Sequence, residues 1–231
     1  MKINLDRDIK YDKNKIVIFD WGGVIESHKD GEYNLDKAII SFIKALKPGV
    51  DELSILDRFY KAIRFKEKKL EDTFKKLDEK ERMIFKYERI KEEFKIESDY
   101  DTYYNTYIKE FDKIYYYKEV VEVAHEIKKY CLTGILSNLG EIDKVRLDKQ
   151  VNLNKFDYVW LSCDEGFRKP EEKIYQIVEN ECNIKTNNIL FIDDSKENIE
   201  VAKKRGWNVC NAYGYEINKI RDSIINFLYK K

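Results

Sequence analysis

Five short apolar runs interrupt an otherwise polar chain, at 16–19, 132–136, 158–161, 189–192 and 207–210. Runs of this length, bounded by polar residues, predict strands buried on both faces. From the second run onward the intervals carry apolar residues at helical spacing. Val120, Val121, Ala124 and Ile127 fall on one stripe, as do Ile174, Ile177 and Val178. After the fourth run, Ser195 predicts an N-cap, Ile199 and Ala202 an inner face, and Gly206 a stop. Strand–helix–strand repetition predicts an α/β, three-layer, Rossmann-like fold. Its parallel sheet is expected to have right-handed crossovers, and its order is taken as 5-4-1-2-3.

The interval between the first two runs has a different pattern. From 26 to 115 there is no strand signal, while Leu53, Leu56, Tyr60 and Ile63 repeat at helical spacing. Met83, Phe85, Ile90 and Phe94 do so more loosely. The expectation is an all-helical insertion, a cap over 26–115, carried by a core domain of 1–25 plus 116–231. The charge run at 61–93 alternates acids with bases, which predicts solvated helix faces rather than a nucleic-acid surface. Seven tyrosines between Tyr100 and Tyr117 are expected to pack the insertion against the sheet domain. His125 falls on the polar side of its stripe and is expected to be solvated.

Composition narrows the function classes. The chain has 231 residues, with 44 basic and 44 acidic side chains that cancel. There is therefore no global field to attract nucleic acid or an anionic membrane. No apolar segment reaches the length of a signal peptide or a membrane span. Cys131, Cys163, Cys182 and Cys210 are widely spaced and form no Cys-x-x-Cys pair, so reduced thiols are expected. These features describe a cytoplasmic protein with no nucleic-acid or membrane partner; they leave the oligomeric state open.

Three strand ends carry chemistry. The first runs into Asp20-Trp21-Gly22-Gly23-Val24, the second into Ser137-Asn138, and the fourth into Asp193-Asp194-Ser195. Ligands bind beyond the carboxyl ends of strands in open parallel sheets. The predicted order makes strands one and four neighbours, so Asp20 should face Asp193 and Asp194. Three carboxylates in one place repel and lose solvation unless a cation joins them. With no His or Cys nearby, oxygen-only ligation indicates a hard ion, Mg²⁺ first. Singly, each piece could be a turn, a helix cap or a loop lysine; their order along the chain indicates a site.

Val17-Ile18-Phe19-Asp20-Trp21-Gly22-Gly23-Val24, Leu136-Ser137-Asn138, Arg168-Lys169-Pro170 with Ile174-Tyr175, and the stretch from Phe191 through Asp193-Asp194-Ser195-Lys196-Glu197-Asn198 to Gly206 occur in that order. Together they resemble the four motifs of the haloacid-dehalogenase-like hydrolase superfamily, most of whose members are Mg²⁺-dependent phosphatases. The resemblance implies a nucleophile at Asp20, with Ser137 and Lys169 completing the catalytic set. Trp21, Gly22, Ser137, Asn138 and Lys169 would bind substrate. Metal ligands would come from Asp20, the carbonyl of Gly22, Asp194 and Asp193, the last as second acid or outer-shell ligand. The substrate would be a small phosphorylated metabolite, with the cap closing over it.

Gly22 departs from the family pattern, which most often has an aspartate there as general acid and base. Glu26 and His28 are the nearest candidates for the missing proton transfer. Two alternatives accompany the phosphatase reading. One is a catalytically weak metal- or phosphate-binding regulatory protein of the same fold. The other is a haloacid dehalogenase, which would not need Asp193 and Asp194. A phosphomutase is disfavoured by Gly22.

Overall fold

The computed structural model describes residues 9–27, 34–63, 74 and 76–230, apart from the side chain of Gln150. Numbered in chain order, the strands are β1 (Asp12–Phe19), β2 (Cys131–Ser137), β3 (Tyr158–Leu161), β4 (Ile189–Asp193) and β5 (Asn208–Asn211). All pairs are parallel and the order is β3-β2-β1-β4-β5, as expected. The fifth run is displaced by one residue: Trp207 precedes the strand.

β1 is central, which explains why its apolar run has no alternation. Side chains of a strand point to opposite faces in turn. Val17 and Phe19 enter a core with Val120, Ala124 and Ile127 of α5 (Lys118–Ile127) and with Ile220 and Ile224 of α10 (Ile217–Tyr229). Ile16 and Ile18 enter a second core with Ile174, Tyr175 and Val178 of α8 (Glu172–Cys182) and Ala202 of α9 (Lys196–Lys204). Register then fixes the strand ends. Phe19 pairs with Ile192 of β4 and Ile135 of β2, so the chain leaves all three strands at one edge. Ser195 caps α9 by accepting from the Asn198 N–H, and Gly206 follows the helix at φ 87°.

The chain divides into two compact units. A sheet unit comprises Met1–Ser27, Tyr116–Gly140 and Leu147–Lys231, and a helical unit comprises His28–Tyr115 with Glu141–Arg146. The helical unit contains α1 (Leu35–Leu46), α2 (Glu52–Ile63), α3 (Glu79–Phe94) and α4 (Tyr100–Phe111). Its centre is Phe42, edge-on to Tyr103, Tyr107 and Phe111 at centroid distances of 5.1, 5.4 and 6.0 Å. The expected insertion, 26–115, did not include the first six residues of α6 (Glu141–Val151), which the helical unit takes in. Glu141 is buried between Arg82 (3.2 Å) and Lys86 (2.7 Å), and Asp143 accepts from the Tyr107 hydroxyl at 2.8 Å. Arg146 donates to the Phe111 carbonyl at 2.8 Å. No local pattern announces partners this far away in the chain.

Two packing expectations need correction. Leu53 does not lie on the inner stripe of α2: it is 93% exposed, and Ile55, Phe59 and Ala62 form the buried face. Leu56, Tyr60 and Ile63 flank that face, so the reading had the helix turned about one position out of phase. The tyrosines chiefly pack the helical unit itself. Tyr103 and Tyr107 lie in its core with Tyr100 and Tyr104 against it, while Tyr116 and Tyr117 join the sheet unit's core and Tyr115 is half-exposed. The charge run at 61–93 lies partly outside the described residues. All four cysteines are buried and none is in a disulfide. No described helix is long and apolar enough to cross a membrane.

Candidate active site

Asp20 is held at the end of β1 by its own N–H, which donates to the Ile192 carbonyl at 2.9 Å and extends the β1–β4 ladder by one rung. The residue is only 7% exposed. Ser137 Oγ donates to Asp20 Oδ1 at 2.8 Å, the Trp21 N–H donates to it at 2.6 Å, and Lys169 Nζ stands 2.8 Å from it. Among the described residues no donor reaches Oδ2. One carboxylate oxygen is thus saturated while the other keeps its lone pairs.

Asp193, at the end of β4, is saturated on both oxygens. Oδ1 accepts from the Ser195 N–H at 2.7 Å and Asn198 Nδ2 at 3.1 Å; Oδ2 accepts from Asn198 Nδ2 at 3.0 Å and Lys169 Nζ at 2.7 Å. Lys169, 2% exposed, therefore bridges two buried carboxylates. Burial disfavours its ammonium form, but Asp20 and Asp193 together hold its pKa above the ordinary lysine value. Burial, with added repulsion from Asp193, pushes the Asp20 carboxyl up to about 7 against the pull of Lys169.

Carboxylate oxygens of Asp20, Asp193 and Asp194 lie within 4.8 Å of one another. The Asp194 carboxylate occupies the space where Gly23 lacks a side chain: a Cβ there would stand 2.4 Å from Asp194 Cγ. Gly23 itself has φ 81°, and the Gly214 N–H donates to its carbonyl at 2.8 Å. A half-buried Asp194, a donor-free Asp20 Oδ2 and, among the described residues, no nitrogen or sulfur ligand in the cluster suit a hard, oxygen-seeking cation such as Mg²⁺. Asp193 fits outside its inner ligand shell, since its oxygens are already engaged.

Ser137, Lys169 and the three aspartates are brought together as expected, while other candidates stand differently. The Trp21 side chain is buried in the sheet unit's core, so only its N–H serves the site. Asn138, expected to bind substrate, turns its amide on the backbone of Lys169. Gly22 is half-buried in the turn after Asp20 and is absent from the described glycines with positive φ. Glu26 is buried and its main chain closes the same turn, its carbonyl accepting from the Gly23 N–H at 2.7 Å. His28 lies outside the described residues. His125 is half-buried rather than solvated; it packs against Phe156, and burial with Lys155 and Lys128 lowers its pKa.

Sequence reasoning gave no role to Asn198, whose amide engages both oxygens of Asp193 and whose carbonyl accepts from the Tyr175 hydroxyl at 3.1 Å. It also passed over Asn211, which donates to the carbonyls of Asp193 and Asp194 at 3.0 and 2.8 Å. Asn198 stands three positions after the N-cap Ser195, and that spacing was the available signal. Asn211 lay on the next strand and had none.

A sheet of this order with a buried aspartate at the end of β1 and further acids after β4 defines a class of hydrolase. Residues 51–212, more than half of the chain, match the family model for haloacid dehalogenase-like hydrolases, and the protein belongs to that family. The match begins beyond Asp20, so the place of that residue rests on the geometry above. Among solved structures, a HAD-family enzyme from Bacteroides thetaiotaomicron in complex with magnesium and inorganic phosphate is similar, with a TM-score of 0.66 and 18% identity. The alignment covers 85% of this chain and 92% of that one. The L-2-haloacid dehalogenase of Xanthobacter autotrophicus, with chloropropionic acid covalently bound, gives 0.55 and 17% over 84% and 76% of the two chains. At these identities the likeness is one of fold. Bifunctional epoxide hydrolase 2 of Rattus norvegicus is 33% identical over 84 residues, 34% of this chain. The matched region spans only 15% of that protein's length.

Proposed function

We propose that this hydrolase is a Mg²⁺-dependent phosphatase of a small phosphorylated metabolite, acting through an aspartyl-phosphate on Asp20. The observation that carries the reading is the asymmetry of the Asp20 carboxylate. Its Oδ1 is held by Ser137, Lys169 and the Trp21 N–H, no donor among the described residues reaches its Oδ2, and two further carboxylates stand within 4.8 Å. Asp20 would form a bond to phosphorus as the ester P–O bond breaks, and the leaving oxygen would take a proton. Water would then cleave the aspartyl-phosphate, releasing phosphate and restoring the carboxylate. Lys169 and Ser137 would stabilise the phosphoryl oxygens and keep Asp20 in line.

Mg²⁺, held by Asp20, Asp194 and the Gly22 carbonyl, would supply charge neutralisation between nucleophile and phosphate. Attack on carbon in a haloacid gains nothing from Asp193 and Asp194, whose charge would only oppose an anionic substrate. Their presence favours phosphorus. The test is phosphate release across a broad panel of phosphorylated metabolites, with Mg²⁺ and with excess chelator. Mg²⁺-dependent turnover is expected. Chelator-resistant release of halide from 2-haloacids, with no phosphate release, would replace this reading with a dehalogenase; no turnover of either class, with Mg²⁺ binding retained, would favour a regulatory protein.

A further inference from the structure

We infer that Asn138 is a positioning residue for Lys169 rather than a substrate ligand. Its side-chain amide makes two opposed hydrogen bonds to the main chain of one residue. Nδ2 donates to the Lys169 carbonyl at 2.8 Å, and Oδ1 accepts from the Lys169 N–H at 2.8 Å. Only one orientation of the amide makes both bonds, so the clamp also fixes which end is nitrogen. The pairing copies one rung of a strand ladder, made by a side chain across 31 positions of sequence.

The clamp lies where Lys169 most needs fixing. Lys169 carries no regular element of its own: it lies in the connection between α7 (Ser162–Glu165) and α8. Its ammonium nevertheless has to meet Asp20 Oδ1 and Asp193 Oδ2 at 2.8 and 2.7 Å. The neighbouring Ser137 holds Asp20 from β2, so the Ser137-Asn138 pair references nucleophile and lysine to the same strand end. A lysine side chain has enough rotamer freedom to lose that geometry when its backbone moves. Asn138 is exposed whereas Lys169 is buried: a surface amide governs a buried charge.

This inference rests on the proposed function for its chemistry, but its geometry can be tested separately. Inorganic phosphate binding in Mg²⁺ would be measured by calorimetry for wild type, Asn138→Ala, Lys169→Ala and the double variant. Crystal structures of the Asn138 variants would locate Lys169 Nζ. Asn138→Ala should weaken phosphate binding about tenfold, the worth of lost hydrogen bonds at a partly solvated position. In the Lys169→Ala background it should cost nothing more, since a residue acting only through Lys169 has nothing left to position. General destabilisation would not spare that background. In the crystal, Lys169 Nζ should leave at least one of its two carboxylates. Asn138→Asp has nearly the same shape but presents no donor to the Lys169 carbonyl above its own pKa, so it should displace the lysine too if the alanine variant folds poorly. Equal weakening in both backgrounds would make Asn138 a phosphate contact and overturn the inference. Lys169 Nζ unmoved in the variant crystals would also overturn it. If wild type binds no phosphate, the proposed function fails and the crystal positions alone decide the clamp.

Discussion

Gly22 and Gly23 are neighbours under different constraints. Gly23 has φ 81°, and an added Cβ would stand 2.4 Å from Asp194 Cγ, so Gly23→Ala must move the carboxylate, the turn or both. The expected outcome is a rise of about tenfold or more in the Mg²⁺ concentration required, read both from activity and from Mg²⁺-induced thermal stabilisation. Unchanged metal affinity would show that Asp194 is not a ligand. Gly22 is not among the described glycines with positive φ, so its backbone conformation does not itself demand glycine. If it marks a missing general acid, wild-type rates should fall steeply from aryl to alkyl phosphates. Gly22→Asp should then raise alkyl-phosphate turnover by up to roughly 10²–10⁴-fold while changing aryl rates little. Similar wild-type rates on both, with chemistry rate-limiting, would mean that another group, with buried Glu26 first to examine, already delivers the proton.

Among the elements, α2 shows how far a pattern can be read. Leu53 and Ile55 are both large aliphatic residues two positions apart, and they differ completely in burial, 93% against 0% exposed. Ile55→Ala should cost about 2–5 kcal/mol of stability by leaving a cavity, and Leu53→Ala less than about 0.5 kcal/mol. Chemical denaturation of the two variants checks this; equal losses would refute the assigned phase of the helix. Apolar residues spread around the α2 surface make several stripes plausible, and the face that wins is the one packed against α1 and α3. β1 posed no such choice, because a strand buried on both faces has no phase to mistake.

For the whole molecule, the buried carboxylates tie stability to pH and, under the proposed function, to Mg²⁺. Asp20 binds its proton more tightly in the folded protein, with a pKa moved from 3.8 to about 7. In chelator, that contribution to stability is therefore fully present below about pH 4 and is lost as pH rises through 7. Asp20→Asn removes the titration. Between pH 5 and pH 8 its urea midpoint should fall less than that of wild type; parallel curves would contradict the assigned shift. The same substitution should abolish turnover, and Mg²⁺ should stabilise wild type more than the variant.

The sequence alone determined the five strands and the aspartates expected at their carboxyl ends, because strand runs and turn residues are local signals; the order 5-4-1-2-3 was assumed rather than derived, and the sheet agrees with it. It also located Ser137 and Lys169 through the order of the motifs. Contacts between distant residues were decided only by the tertiary structure. These include the capture of Glu141–Arg146 by the helical unit, the amide of Asn198 on Asp193, and the Asp194 carboxylate resting on Gly23. The same holds for Asn138, whose type suits a substrate contact and a backbone clamp equally well. Hydrogen-bonding capacity is a property of the residue, but its partner is chosen by packing, and here packing presents the backbone of Lys169.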